Sequence, residues 1–167
     1  MISVPSQHRR GTISGMDIGN IHPAFVHFPI AFLFAYAVLE IVPLARWFPQ
    51  APWSVLTRAS LWAGAAFTIP TVITGLLAAR EVGDVAIITA HKYAGLVTVA
   101  IFIVLAAIHL RSAMKGVDIG GIRWFLRVGA FVGLVGLFVT GALGAAIVYG
   151  PTVDPIVSLV TSILGFQ

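Results

Sequence analysis

The chain of 167 residues contains no cysteine, and only 10% of its residues are charged. The missing thiol excludes disulfides, cysteine-ligated zinc, cysteine-ligated iron–sulfur clusters, thiol catalysis and covalent attachment of a c-type heme. Soluble domains carry about 25% charged residues, so too few charges exist here to cover a water-facing surface. Disorder is excluded for the same reason, because disordered chains are polar and charged. What fills the chain is apolar: 59% of residues are hydrophobic and the mean hydropathy is +1.00. The formal net charge of +4 fits basic flanks of membrane spans better than a nucleic-acid platform, and no nucleic-acid partner is expected.

Four apolar runs, at about 24–46, 54–79, 87–110 and 122–149, each reach the roughly 20 residues that a helix needs to cross a bilayer. They are continuously apolar rather than alternating, which argues against a β-barrel. The expected fold is an all-α membrane protein, a four-helix transmembrane bundle with a short C-terminal interfacial helix. Residues 1–20 form a polar N-terminal tail without the apolar core of a cleaved signal peptide. Residues 21–150 form the transmembrane domain and 151–167 the interfacial segment. Pro43, Pro49 and Pro52 end the first span, with Trp47 and Trp53 at interfacial positions. Asp154 followed by Pro155 predicts a helix N-cap with proline at the first helical position. The expected localisation is an integral membrane protein of a bacterial inner membrane, in contact with the lipid bilayer. Positively charged residues number four on the side of the termini and six on the other, which predicts both termini outside, in the periplasm.

Helix 2 carries Gly64, Thr68, Thr71 and Gly75, and helix 4 carries Gly129, Gly133, Gly136, Thr140 and Gly144, each on one face. Such stripes serve close helix packing or a groove for a flat cofactor. Pro70 predicts a kink in helix 2.

Ionisable side chains inside a membrane are functional candidates by default. His22, His27 and His91 fall near one surface. His109 follows His91 by 18 residues, five full turns on the same face and about 27 Å along the axis, so it lies near the opposite surface. Two histidines facing each other in a helical bundle are a means of holding the iron of a b-type heme. His27 with His91 is the preferred pair and His22 the alternative ligand, with Gly95 giving room to the porphyrin edge. Pro23 and Pro29 bracket this segment and leave the rotation of His27 open. The competing reading is interfacial histidines bonded to backbone carbonyls or lipid headgroups. A zinc or non-heme iron site is less attractive, although Asp17 and Asp84 come near in sequence. Glu40 and His109 are candidates for proton uptake beside a quinone, or Glu40 reaches to Arg46 or Arg111. No P-loop, dinucleotide-binding glycine motif, HExxH or GxSxG appears, so the chain is not expected to be an enzyme alone.

The segment IHPAFVHFPI at 21–30 resembles the signature that opens domain-of-unknown-function family 2231, small bacterial membrane proteins of four spans. TGLLAAR at 74–80, the histidine opening helix 3 and GALGAAIVYG at 141–150 extend the resemblance over about residues 20–150. The matching positions are His22, Pro23, His27, Pro29, His91 and Gly144. Many relatives carry a histidine shortly after the tyrosine that ends helix 4; here Tyr149 is followed by Gly150 and Pro151, so that ligand is absent. Some relatives are joined to Rieske-type iron–sulfur domains, which implies redox work by analogy. The expectation is a membrane-embedded electron-transfer subunit with one heme b, working with other membrane or peripheral redox subunits and the quinone pool. The alternative is a cofactor-free accessory subunit of a larger complex.

Overall fold

The structure, a computed structural model, describes residues 18–83, 85–116, 118 and 120–166. Five α-helices follow one another: α1 (Ile18–Ile41), α2 (Trp53–Val82), α3 (Ala86–Lys115), α4 (Arg123–Tyr149) and α5 (Pro155–Ile163). The first four are long and apolar enough to cross a membrane. Large apolar side chains cover their outer faces, among them Phe28, Ile69, Val97 and Phe131. That pattern suits lipid, where helices satisfy their own backbone groups.

The four spans run antiparallel in sequence and pack in a ring. Helix α1 touches α2 and α4, and α3 touches the same two, so α1 and α3 face each other across a diagonal. The apolar core of Leu33, Tyr36, Ala37, Leu61, Phe102, Leu105, Leu126 and Ala130 fills the half nearer the C-terminal end of α1. The other half holds His22, Thr71, Thr74, His91, Thr98 and Thr140 beside a smaller apolar cluster of Ala142, Ala146 and Val157.

Helix α1 starts earlier and ends earlier than its hydropathy implied. Pro43 stops it, and the chain makes a short 3-10 turn at Leu44–Arg46 before α2. More consequential is that α1 runs unbroken through Pro23 and Pro29. Proline at 29 has no N–H for the carbonyl of Phe25, four residues earlier. Thr71 of α2 takes that place: its hydroxyl donates to the Phe25 oxygen at 3.3 Å and to its own Phe67 oxygen at 2.9 Å. Pro70 likewise lies inside an unbroken α2.

The glycine stripes are packing surfaces. A Cβ at Gly64 would lie 2.5 Å from a methyl of Leu33. On α4, a Cβ at Gly129 would strike Leu105, one at Gly133 would strike Phe102, and one at Gly136 would strike Thr98. Side chains of α3 therefore occupy the α4 stripe, in place of the cofactor groove that the sequence also allowed.

After Gly150 the chain turns back on itself. Asp154 caps α5 through Oδ1, which accepts from the N–H groups of Ile156 at 2.8 Å and Val157 at 2.9 Å. Pro155 occupies the first turn. Val157 packs with Ala142 and Ala146 of α4, and the Thr161 hydroxyl donates to the Pro151 carbonyl at 3.1 Å. At nine residues α5 is too short to span.

Candidate functional site

The unbroken course of α1 decides which histidine faces the bundle. At about 100° per residue, positions 22 and 27 are about 140° apart, so they cannot share a face. His22 is the inner one. Its Nδ1 lies 3.1 Å from the Thr74 hydroxyl, and its ring rests on Gly75, where a Cβ would come within 2.8 Å of Cε1. His27 is exposed on the outer face, and its Nδ1 donates to the Pro23 carbonyl of its own helix at 2.6 Å. The expected pairing of His27 with His91 is thus not made. The regular helix turns His27 away and His22 into the bundle, where its ring rests on α2.

His91, at the start of α3, is anchored to α4. Its Nδ1–H donates to the Thr140 carbonyl at 3.0 Å, and a Cβ at Gly144 would lie 3.2 Å from its Cε1. Thr98 lies below, its hydroxyl donating to Ala94 at 2.8 Å and lying 3.4 Å from that of Thr140. Gly95 backs onto the Thr140 methyl, 3.5 Å from where its own Cβ would be; the space it gives is taken up by α4.

His91 donates to a carbonyl, so its neutral ring carries the proton on Nδ1 and keeps Nε2 as the lone-pair nitrogen. The Thr74 hydroxyl lies within hydrogen-bond distance of two carbonyls, Pro70 at 2.8 Å and Thr71 at 3.1 Å, as well as of His22 Nδ1. When it donates to a carbonyl it accepts from His22 Nδ1–H, and Nε2 of that ring is then the lone-pair nitrogen too. Anchoring one ring nitrogen to an oxygen is the usual support of a metal-ligating histidine. Bonding to a backbone carbonyl, the bland alternative in the sequence, is also present at His27 and His91. Among the described residues, no three His, Cys, Asp or Glu side chains converge as a metal site. Asp17 and Asp84 lie outside the described residues.

Glu40 and His109 do come together, at the other end of the bundle. Both line a pocket of about 350 Å³ with Arg58, Arg123, Arg127 and Asp118. Arg123 and Arg127 of α4 line this pocket with Glu40, and Arg46 and Arg111 are not among its lining residues. Tyr36 and His109 are buried beside each other, and among the described residues Tyr36 Oη and both His109 nitrogens have no hydrogen-bond partner.

Several of these residues escaped notice in the sequence. Arg58, Arg123 and Arg127 served only as topology charges, and Tyr36 and Thr74 passed as span residues. The available signal was spacing: Tyr36 with Glu40, and Arg123 with Arg127, stand four apart and share helix faces.

Taken together, the fold and the polar residues at both ends define an integral membrane protein, a four-span helical bundle with histidines set inside it. Residues 19–154 match the family described as predicted membrane protein (DUF2231). The chain belongs to that family. No curated protein and no solved structure matches it.

Proposed function

We propose that the protein is a membrane-embedded electron-transfer subunit that holds one b-type heme between His22 and His91. The observation that carries this reading is the matched state of the two imidazoles. They come from diagonal helices at the same end of the bundle, each with Nδ1 within hydrogen-bond distance of an oxygen, an arrangement that leaves Nε2 of each ring for a metal. That donor set fits the axial demand of a b-type heme. When bound, the group supplies reversible one-electron transfer. The residues hold and orient it, and the Nδ1 bonds to Thr74 and Thr140 tune the basicity of the ligands. His22 takes the role first considered for His27, because His27 faces outward.

In this reading electrons pass between a peripheral redox partner on the side of the termini and the quinone pool or another membrane cofactor. The basic residues gathered at the far end favour a bacterial inner membrane with both termini in the periplasm.

The test is a reduced-minus-oxidised visible spectrum of the purified protein. A Soret band and an α-band on reduction are expected. His22→Ala and His91→Ala should lose heme, with return of the bands on adding imidazole, while His27→Ala keeps full heme content. A colourless wild-type protein, or heme unchanged in both His22→Ala and His91→Ala, rejects the proposal. A second reading has its own support: α3 side chains fill the α4 glycine stripe completely from Gly129 to Gly136, as in a cofactor-free accessory subunit. Such a protein purifies colourless and alters the assembly of its complex.

A further inference from the structure

The pocket at the end of the bundle opposite the imidazole pair carries chemistry that electron transfer does not use. It is formed where α1 and α3 end and α2 and α4 begin. Arg58 comes from α2, Arg123 and Arg127 from α4, Glu40 from α1 and His109 from α3. Three guanidinium groups thus face two carboxylates, Glu40 and Asp118. Asp118 is engaged locally, its Oδ1 accepting from the Gly120 N–H at 2.9 Å. Arg58 donates through Nε to the Ser54 carbonyl at 3.0 Å, which leaves its terminal amino groups for other partners. Among the described residues, no carboxylate lies within ion-pair distance of these arginines.

Two further features point the same way. Helices α2 and α4 both begin here without an acidic residue in the first turn and without a side-chain cap. Their positive dipole ends add to the guanidinium charge. His109 lines the pocket with only 4% of its surface exposed, and among the described residues neither ring nitrogen has a partner. An unpaired buried polar group is costly; both nitrogens are closed off from solvent, so a ligand oxygen bonds to one of them only with a turn of the ring toward the pocket.

We infer that this pocket binds a phosphate-bearing ligand, its oxyanion held by Arg58, Arg123 and Arg127 and its neighbouring oxygen or hydroxyl group bonded to His109. Guanidinium forks match phosphate oxygens in pairs. A site among three helices at the level of a membrane surface receives such a group from an anionic phospholipid headgroup or from a free phosphate compound. A quinone is the weaker fit. Its neutral carbonyls use none of the three cations, and the pocket lies about 27 Å along the axis from the imidazole end.

The full-length protein in neutral detergent, stripped of lipid, tests the assignment by thermal shift and native mass spectrometry. The probes are short-chain phosphatidylglycerol, phosphatidylcholine, inorganic phosphate and a short-chain quinone. Phosphatidylglycerol is expected to bind one to one and to raise the unfolding temperature above the effect of phosphatidylcholine. Stabilisation by inorganic phosphate at comparable concentration assigns the free compound as the source; its absence assigns the headgroup. Arg123→Gln with Arg127→Gln should weaken the binding about tenfold or more, the loss of charged hydrogen bonds. Arg58→Gln, on an exposed side chain whose loss does not threaten folding, should weaken it less. His109→Phe should weaken it while His27→Ala, on the outer face of α1, leaves it unchanged. Equal binding of the two lipids, arginine variants that bind like the wild type, or stabilisation by the quinone alone would overturn the inference.

Discussion

The hydroxyl of Thr71 on α2 lies 3.3 Å from the carbonyl of Phe25 on α1, the acceptor that Pro29 leaves without its helical donor. One hydrogen bond between helices thereby stands in for one missing within a helix. It joins the two spans beside the imidazole pair.

Thr71→Val should destabilise the protein by about 1 kcal/mol, the usual net worth of one hydrogen bond. In a Pro29→Ala background the same change should cost less, because alanine at that position restores a backbone N–H for the Phe25 carbonyl. Thermal unfolding of the four proteins of the double-mutant cycle measures the coupling. Strict additivity would show that Thr71 does not serve the proline.

The glycines of α4 are predicted to divide sharply. A Cβ at Gly133 would lie 2.7 Å from Phe102, a ring with no exposed surface, whereas one at Gly141 meets nothing within 4 Å. Gly133→Ala should cost about 1–3 kcal/mol by overpacking. Gly141→Ala should stabilise by roughly 0.5–1 kcal/mol, because a helical glycine is replaced by the best helix former. Unfolding in detergent distinguishes them, and similar values for both would contradict the packing described.

If the imidazole pair holds heme, the glycines behind it should report on ligation. Gly75→Ala brings a methyl within 2.8 Å of the His22 ring, against 3.2 Å for Gly144→Ala and His91. Heme content should therefore fall further in Gly75→Ala than in Gly144→Ala. The ratio of Soret to protein absorbance gives the order, and the reverse order would argue against His22 as the inner ligand.

Asp154→Ala removes both N-cap bonds of α5. A cost of about 1 kcal/mol is expected, confined to local opening of α5 because this short helix packs chiefly on α4. Hydrogen exchange should rise in residues 156–163, with little change across the four spans. Faster exchange throughout α4 would mean that α5 supports the whole bundle.

Much of this architecture was legible in the amino-acid order. Length and hydropathy marked four spans, Pro43 marked the end of α1, and Asp154 with Pro155 marked the start of α5. Family resemblance was carried by the segment holding His22 and His27. The rotation of that segment was not legible, because Pro29 reads as a local break. The helix survives through Thr71, a residue more than forty positions away, and no local rule brings the two together. The arginine pocket was hidden for a related reason. Arg58 and Arg127 are ordinary flanking charges in the sequence and become neighbours only when α2 and α4 begin at one end of the ring.

The lengths of the spans have a consequence for the membrane itself. Helices α2 and α3 have 30 residues each, about 45 Å at 1.5 Å per residue, against a hydrocarbon layer of about 30 Å. Roughly 15 Å of each must tilt or stand in the headgroup zones. Even α1, with 24 residues, has length to spare. The bundle therefore has no need to thin the bilayer around it, and moving it between membranes that differ by a few ångströms in thickness should change its tilt rather than its fold.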